Sequence, residues 1–250
     1  MSNILNKIKE AAYNVVSVFK DTSSKMDKFK LSYYEDFRQG IFNRGWEKVC
    51  KGTSSWNVNA KPDDDLFEFT KDGLRLHAYK TLEGYRTCGI VSKMPLDFHK
   101  GRIEVVARMC NCPHSWHAIW LTGRNNAIIR DCAEIDISEC FNAKPFTYQT
   151  VHSNAIHKKY GSGDTGRAFL KPEEWNTFAC EIDDFSVRMF INGVKTKEYF
   201  NNGKSYPFGK AYNPMKVILS AQLGGSWPGW AKPDDILHGW IEIKSVKIYN

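Results

Sequence analysis

Ala133-Glu134-Ile135-Asp136-Ile137-Ser138-Glu139-Cys140 places three carboxylates within six residues of a stretch that otherwise reads as a buried β-strand. Like charges this close repel one another and resist leaving water. On a period-2 strand Glu134 and Asp136 share one face, while Ile135 and Ile137 share the other. Glu139 falls on the wrong face unless one extra residue is inserted, and a β-bulge near Ser138 supplies it. With that bulge the Glu134 and Glu139 backbones lie roughly 13 Å apart. Side chains leaning together close this to about 5–5.5 Å, the separation at which two carboxyl groups act as nucleophile and acid. On these six residues alone, an edge strand guarded by charge or a calcium-binding cluster is the stronger reading. The surrounding sequence shifts the balance.

Around the acids the signals are β. Strands are expected over Leu66–Thr70, Leu74–Tyr79, Gly89–Met94, Arg102–Cys110, His117–Leu121, Glu134–Cys140, Tyr148–His152, Asn176–Ile182, Ser186–Ile191, Met215–Ala221 and Gly239–Tyr249. Turn formers such as Lys71-Asp72-Gly73 and Ile191-Asn192-Gly193 separate them. Many short strands without helical periodicity between them predict an all-β fold, two antiparallel sheets packed as a sandwich or jelly roll. At 250 residues with 42% hydrophobic content the chain can bury one full core.

Several function classes fall away on composition. No run of eighteen apolar residues is present, so no membrane-spanning helix is expected. The net charge of +7 is spread along the chain rather than gathered into a stripe, which argues against nucleic acid as a partner. Seven cysteines cannot all pair with one another. Cys110-x-Cys112 has no second pair at zinc-finger spacing, so neither a structural zinc nor any other metal or cofactor is expected. The eight tryptophans, eleven tyrosines and fifteen phenylalanines serve equally well as core and as platforms for sugar rings.

Residues 3–30 stand apart. Leu5, Ile8, Ala12, Val15, Phe19, Thr22, Met26 and Phe29 follow the 3-4 spacing of a coiled-coil seam, so residues 1–30 read as an N-terminal amphipathic helix ahead of a β-domain at 31–250. Homo-oligomerisation through this segment and docking onto the chain's own β-domain are equally compatible with the pattern. The segment lacks the continuous apolar core and small-residue cleavage site of a secretory signal.

Two tryptophan-bearing stretches flank the acids in sequence: Ser115-Trp116-His117-Ala118-Ile119-Trp120-Leu121 and Gly224-Gly225-Ser226-Trp227-Pro228-Gly229-Trp230. Together with Glu-Ile-Asp-Ile-Ser-Glu at 134–139, Gly101-Arg102-Ile103-Glu104-Val105 and Cys88-Gly89-Ile90-Val91-Ser92-Lys93, they resemble glycoside hydrolase family 16, in its laminarinase-like, bulged E-x-D-x-x-E subgroup. The motifs occur in family order over roughly residues 33–250. The resemblance implies a concanavalin-like β-jelly-roll and an endo-acting, retaining hydrolase of a polysaccharide, with β-1,3-glucan or mixed-linkage β-1,3-1,4-glucan as substrate. A β-galactanase on agar-, porphyran- or carrageenan-type chains or on host glycans is the alternative, and a non-catalytic glycan-binding module the alternative of another class. The resemblance also assigns roles: Glu134 as nucleophile, Glu139 as acid and base, and Asp136 between them, hydrogen-bonded to Glu134. Trp116 and Trp120 would line sugar subsites, Trp227 and Trp230 the opposite wall, and His152 would reach the cleft. Two departures stand out. His117 replaces the proline that follows the first tryptophan in the family motif, and Lys244 stands where many members place a calcium-binding aspartate. A polysaccharide substrate implies action outside the cell, reached by processing, another export route or release by lysis.

Overall fold

A computed structural model describes residues 29–40, 45–93, 99–110, 112–203 and 206–250. The expected N-terminal helix therefore falls almost wholly outside the described residues. Sixteen strands are present among them: β1 (Leu31–Asp36), β2 (Trp46–Lys48), β3 (Phe67–Phe69), β4 (Leu74–Thr81), β5 (Gly84–Arg86), β6 (Cys88–Ser92), β7 (Gly101–Met109) and β8 (Trp116–Gly123). They continue with β9 (Glu134–Phe141), β10 (Phe146–His152), β11 (Asp164–Phe169), β12 (Asn176–Ile182), β13 (Ser186–Ile191), β14 (Val194–Phe200), β15 (Met215–Ala221) and β16 (Leu237–Tyr249). All named pairings are antiparallel, and they build two sheets packed as a jelly roll.

The outer sheet runs β14-β13-β12-β7-β16-β4-β3, with β1 added to β16 and β5 to β4. The inner sheet runs β11-β10-β9-β8-β15-β6-β2, which puts the acidic strand β9 inside the sheet rather than at an edge. That position removes the edge-guard reading, because both sides of β9 are hydrogen-bonded to neighbours. Period-2 alternation explains the core between the sheets. Ile135 and Ile137 of β9, Ile119 and Leu121 of β8, and Ile103 and Val105 of β7 all point inward and are fully buried. Each such side chain contributes roughly 1.5–3 kcal/mol through burial, and together they fix which face of β9 carries the acids.

Every segment read as a strand from sequence coincides with a strand. The reading missed β1, β2, β5, β11 and β14. Two of these, β11 and β14, are the outermost strands of their sheets, where exposed apolar residues (Phe169, Val194 and Phe200) mix with polar ones and no clean alternation results. Lys195 and Lys197 on β14 are the kind of charges that blunt a sheet edge. Two short helices also interrupt the strands, Asn126–Ile129 and Asn154–Tyr160. The second has its own caps, Ser153 accepting from Ile156 N–H at the start and Gly161 in the left-handed conformation at the end.

Candidate active site

The register around β9 shows where the alternation breaks. Ile119 of β8 opposes Ser138, yet the next residue, Trp120, opposes Asp136, so β9 carries one residue more than its neighbour. On the other side Tyr148 opposes Glu139 and Thr150 opposes Asp136, leaving Ile137 and Ser138 against one residue of β10. The bulge is therefore Ile137–Ser138, and beyond it Glu139 rejoins the face of Glu134 and Asp136. A bulge leaves backbone groups unpaired. Here Gln149 Nε2 donates to the Ile137 carbonyl at 3.0 Å, and the Ser138 hydroxyl lies 2.9 Å from Thr147 Oγ1. Both supporting side chains are buried on the core side of β10. Sequence reasoning named neither; the polar Thr147 and Gln149 at core-facing positions of a strand were the available signal.

All three acids line one pocket of about 120 Å³, together with Trp56, Trp116, Ala118, Trp120, Ser220 and Gln222. Asp136 and Glu139 are only 5% and 8% exposed. No arginine or lysine pairs with any of the three among the described ion pairs. His152 is the basic neighbour instead: its Nε2 lies 3.1 Å from Asp136 and 3.8 Å from Glu134. The described hydrogen bond of Asp136 is thus to His152, and the expected one to Glu134 is not among the described bonds. The other ring nitrogen of His152 lies 2.8 Å from Nε2 of His157, a residue the sequence reading did not include.

These environments push the three carboxyl groups in one direction. Burial holds Glu139 well above the usual carboxylate range, and Asp136 adds to that; a hydrogen bond from Trp116 Nε1 at 2.8 Å opposes it. Asp136 is raised well above its ordinary value by burial and then by Glu134. Glu134 is raised by burial, with His152 pulling the other way. Three interacting acids pushed the same way titrate as a group, so that over part of the pH range one can hold a proton where another has lost its own. Glu134, Asp136 and His152 also bring three ligand atoms within 4.8 Å of one another, a spacing open to a cation, but the Asp136–His152 contact already satisfies that pair.

The tryptophans divide. Trp120 stands edge-on to Trp56 with centroids 4.8 Å apart, and Trp116 supplies the hydrogen bond to Glu139. Trp56 was missed, although it sits beside turn formers in Thr53-Ser54-Ser55-Trp56-Asn57 just as the other tryptophans do. Trp227 does not face Trp116 from an opposite wall; it touches Trp116 edge-on at 6.1 Å and packs on Phe141 at 4.3 Å. Trp230 rests against Tyr85 at 5.1 Å, and neither residue lines the acid pocket. Both rings are largely solvent-facing, 40% and 51% exposed, on the loop that follows Gly224-Gly225. Only glycine fits at 225: φ is +143°, and a Cβ would stand 3.0 Å from the Trp116 ring. The loop backbone thus lies directly on the ring that holds Glu139. Lys244 places its ammonium 4.2 Å over the ring of Trp175.

No family model matches the chain. Among curated proteins it is 21% identical to the keratan-sulfate endo-1,4-beta-galactosidase of Sphingobacterium multivorum, over 88% of this chain and 55% of that protein. It is 24% identical to the beta-glucanase of Rhodothermus marinus, over 66% of this chain and 62% of that protein. The chain spans between 36% and 62% of the length of the curated relatives it matches. Among solved structures it superposes on the catalytic domain of an endo-1,3-beta-glucanase (laminarinase) from Thermotoga petrophila with a TM-score of 0.77 at 20% identity, covering 89% of this chain and 98% of that one. The chain therefore has the jelly-roll fold of the laminarinases.

Proposed function

We propose that the chain is an endo-acting, retaining β-glycan hydrolase of glycoside hydrolase family 16, cleaving β-1,3-glucan or mixed-linkage β-1,3-1,4-glucan by double displacement. The observation that carries this reading is the bulged strand β9, with three carboxyl groups lining one pocket and no arginine or lysine paired with them among the described residues. A fold needs no such cluster, and a module that only binds glycan needs no proton donor.

Glu134, the more exposed of the outer pair, attacks the anomeric carbon and forms a glycosyl-enzyme. Glu139, kept protonated by burial, gives its proton to the leaving glycosidic oxygen. Water then enters, Glu139 takes its proton, and the sugar is released with its original configuration. Trp116 fixes the Glu139 carboxyl through the indole N–H. Asp136 and His152 adjust the charge beside the nucleophile. Trp116, Trp120 and Trp56 offer apolar faces to the sugar rings. Trp227 and Trp230 extend the binding surface beyond the acids, where longer chains would reach them. Such a substrate places the action outside the cell.

A second reading, a β-galactanase on sulfated or host glycans, is favoured by the keratan-sulfate endo-galactosidase relative and by the positive net charge of +7. The two separate by measuring new reducing ends on laminarin, lichenan, agarose, porphyran, carrageenan and keratan sulfate. Cleavage of laminarin or lichenan supports the first reading, cleavage confined to the galactans the second. Binding without cleavage of any of them removes the enzyme reading in favour of a glycan-binding module.

A further inference from the structure

The residue that departs from the family motif, His117, lies in a second chemical cluster beneath the pocket floor. Along β8 the side chains of Trp116, Ala118 and Trp120 face the pocket, so His117 faces the core, where it is wholly buried. A buried imidazole needs partners, and the fold makes room for this one. Gly239 of β16 lies opposite, where a Cβ would stand 2.9 Å from His117 Cε1. Cys110, just past the end of β7, is pinned to β16 twice. Its N–H donates to the Trp240 carbonyl at 2.9 Å, and Trp240 N–H donates to its Sγ at 3.2 Å. Two residues on, Cys112 Sγ lies 3.4 Å from Cys110 Sγ, and His117 Nε2 is 3.4 Å from Cys110 Sγ.

Two thiols and an imidazole within 4.8 Å of one another would suit a thiophilic metal. The tautomer decides against it. Gln222 N–H donates to His117 Nδ1, so the ring proton sits on Nε2 and points at sulfur. For Nε2 to bind a metal, Nδ1 would have to carry the proton and face another N–H. The ring N–H is aimed at Cys110 Sγ, and Cys110 in turn donates to Cys112 Sγ, a relay that favours a thiolate at Cys112 instead.

We propose that Cys110 and Cys112 are a redox-active dithiol that closes to a disulfide on reaction with a small-molecule disulfide, Cys112 attacking and Cys110 resolving. Cys112 is the half-exposed member and Cys110 the buried one. The Cys112 thiol is drawn down to about 5 by its hydrogen bond with Cys110, with help from His117, while Cys110 is held far above the normal thiol range. The buried Cys88, Cys140 and Cys180 are all raised by burial and lack this arrangement. The other titratable groups acting on the pair are His238 of β16 and Glu173. In the first step the Cys112 thiolate bonds to one sulfur of the oxidant and expels the other as a thiolate. Cys110 Sγ then bonds to Cys112 Sγ and expels the second thiolate, its own proton passing to the leaving sulfur. The two protein thiols are oxidised, and one small-molecule disulfide is reduced to two thiols.

The test is equilibration with glutathione buffers, alkylation and tryptic mapping, since no lysine or arginine lies between Arg108 and Arg124 and both cysteines fall in one peptide. In oxidised buffer that peptide is expected to lose two hydrogens and take up no alkyl group. Cys110→Ser is expected to stop at a glutathione adduct on Cys112, and Cys112→Ser to form neither adduct nor disulfide. His117→Gln is expected to slow alkylation of Cys112 by about tenfold near pH 4, below the thiol's own value, one unit of thiol pKa. Full alkylation of both residues at every buffer ratio overturns the proposal. So does an adduct on Cys110 in Cys112→Ser, or stoichiometric zinc in the purified protein that blocks closure.

Discussion

Two sets of buried carboxylates, one on each sheet, have opposite surroundings. Glu242 on β16 has no exposed side-chain surface, yet Arg108 lies 2.8 Å and Arg75 3.2 Å from its Oε2, and Thr70 donates to its other oxygen. Burial alone would raise it, but the Thr70, Arg108 and Arg75 hydrogen bonds together hold it below the ordinary glutamate value. On the same sheet Glu181 is held between Arg102 at 2.8 Å and Arg188 at 3.0 Å. Glu134, Asp136 and Glu139 on β9 have burial without a guanidinium partner among the described ion pairs, and all three are raised. The outer sheet neutralises its acids and gains structure. The inner sheet leaves its acids frustrated and so keeps protons that can be moved.

The largest effect expected from breaking this contrast is on turnover. Glu134→Gln and Glu139→Gln should each lower hydrolysis by about 10²–10⁴-fold or more with the fold retained, read as reducing ends alongside circular dichroism. Glu242→Gln should do the reverse, leaving kcat within a few-fold and costing about 3–5 kcal/mol of stability by stranding its arginines, read by urea denaturation.

The bulge comes next, because it is what unites the acids. Gln149→Leu leaves the Ile137 carbonyl buried without its donor, at a cost of about 1–3 kcal/mol. It should also lower kcat more than it raises KM, by misplacing Glu139 relative to Glu134. Glu47→Gln, an exposed position on the far edge strand β2 of the same sheet, should change neither.

Third, Glu139→Gln should trade activity for stability in a pH-dependent way. A carboxyl whose folded pKa lies above its unfolded value weakens the fold increasingly as pH rises between the two values, and no further above the higher one. The variant should therefore melt at the same temperature as the parent near pH 4, and several degrees higher near pH 7, at about 2–4 °C per kcal/mol. Equal melting temperatures at both pH values would mean that Glu139 is not raised.

The smallest effect is a shifted limb of the pH–rate profile. Trp116 donates to the ionised form of Glu139 and so lowers its pKa. Trp116→Phe should move the basic limb of kcat/KM upward by about half a unit to one unit, in addition to any loss of sugar stacking.

Much of this was legible in the sequence, for identifiable reasons. Alternating Ile135 and Ile137 fixed the face of β9, and the displaced Glu139 announced the bulge, because a core that excludes charge allows few other solutions. The edge strands β11 and β14 escaped because a strand with one solvated face and no partner on one side loses the apolar alternation that reveals it. The partners of the acids escaped for another reason. That Asp136 meets His152, or that Gln149 holds the bulge, depends on cross-strand register, which no local spacing encodes. Cys110-x-Cys112 read as an incomplete metal motif, because its third member, His117, arrives from the next strand.

The central claim is that Glu134 and Glu139 act as nucleophile and acid–base pair across one glycosidic bond. Proton NMR of the first products released from whichever β-glycan is cleaved, recorded before mutarotation, tests it most directly. The account predicts that the β-anomer appears first and converts to the α-anomer only with time. Initial release of the α-anomer would mean that water, not Glu134, attacks the sugar, and would contradict it.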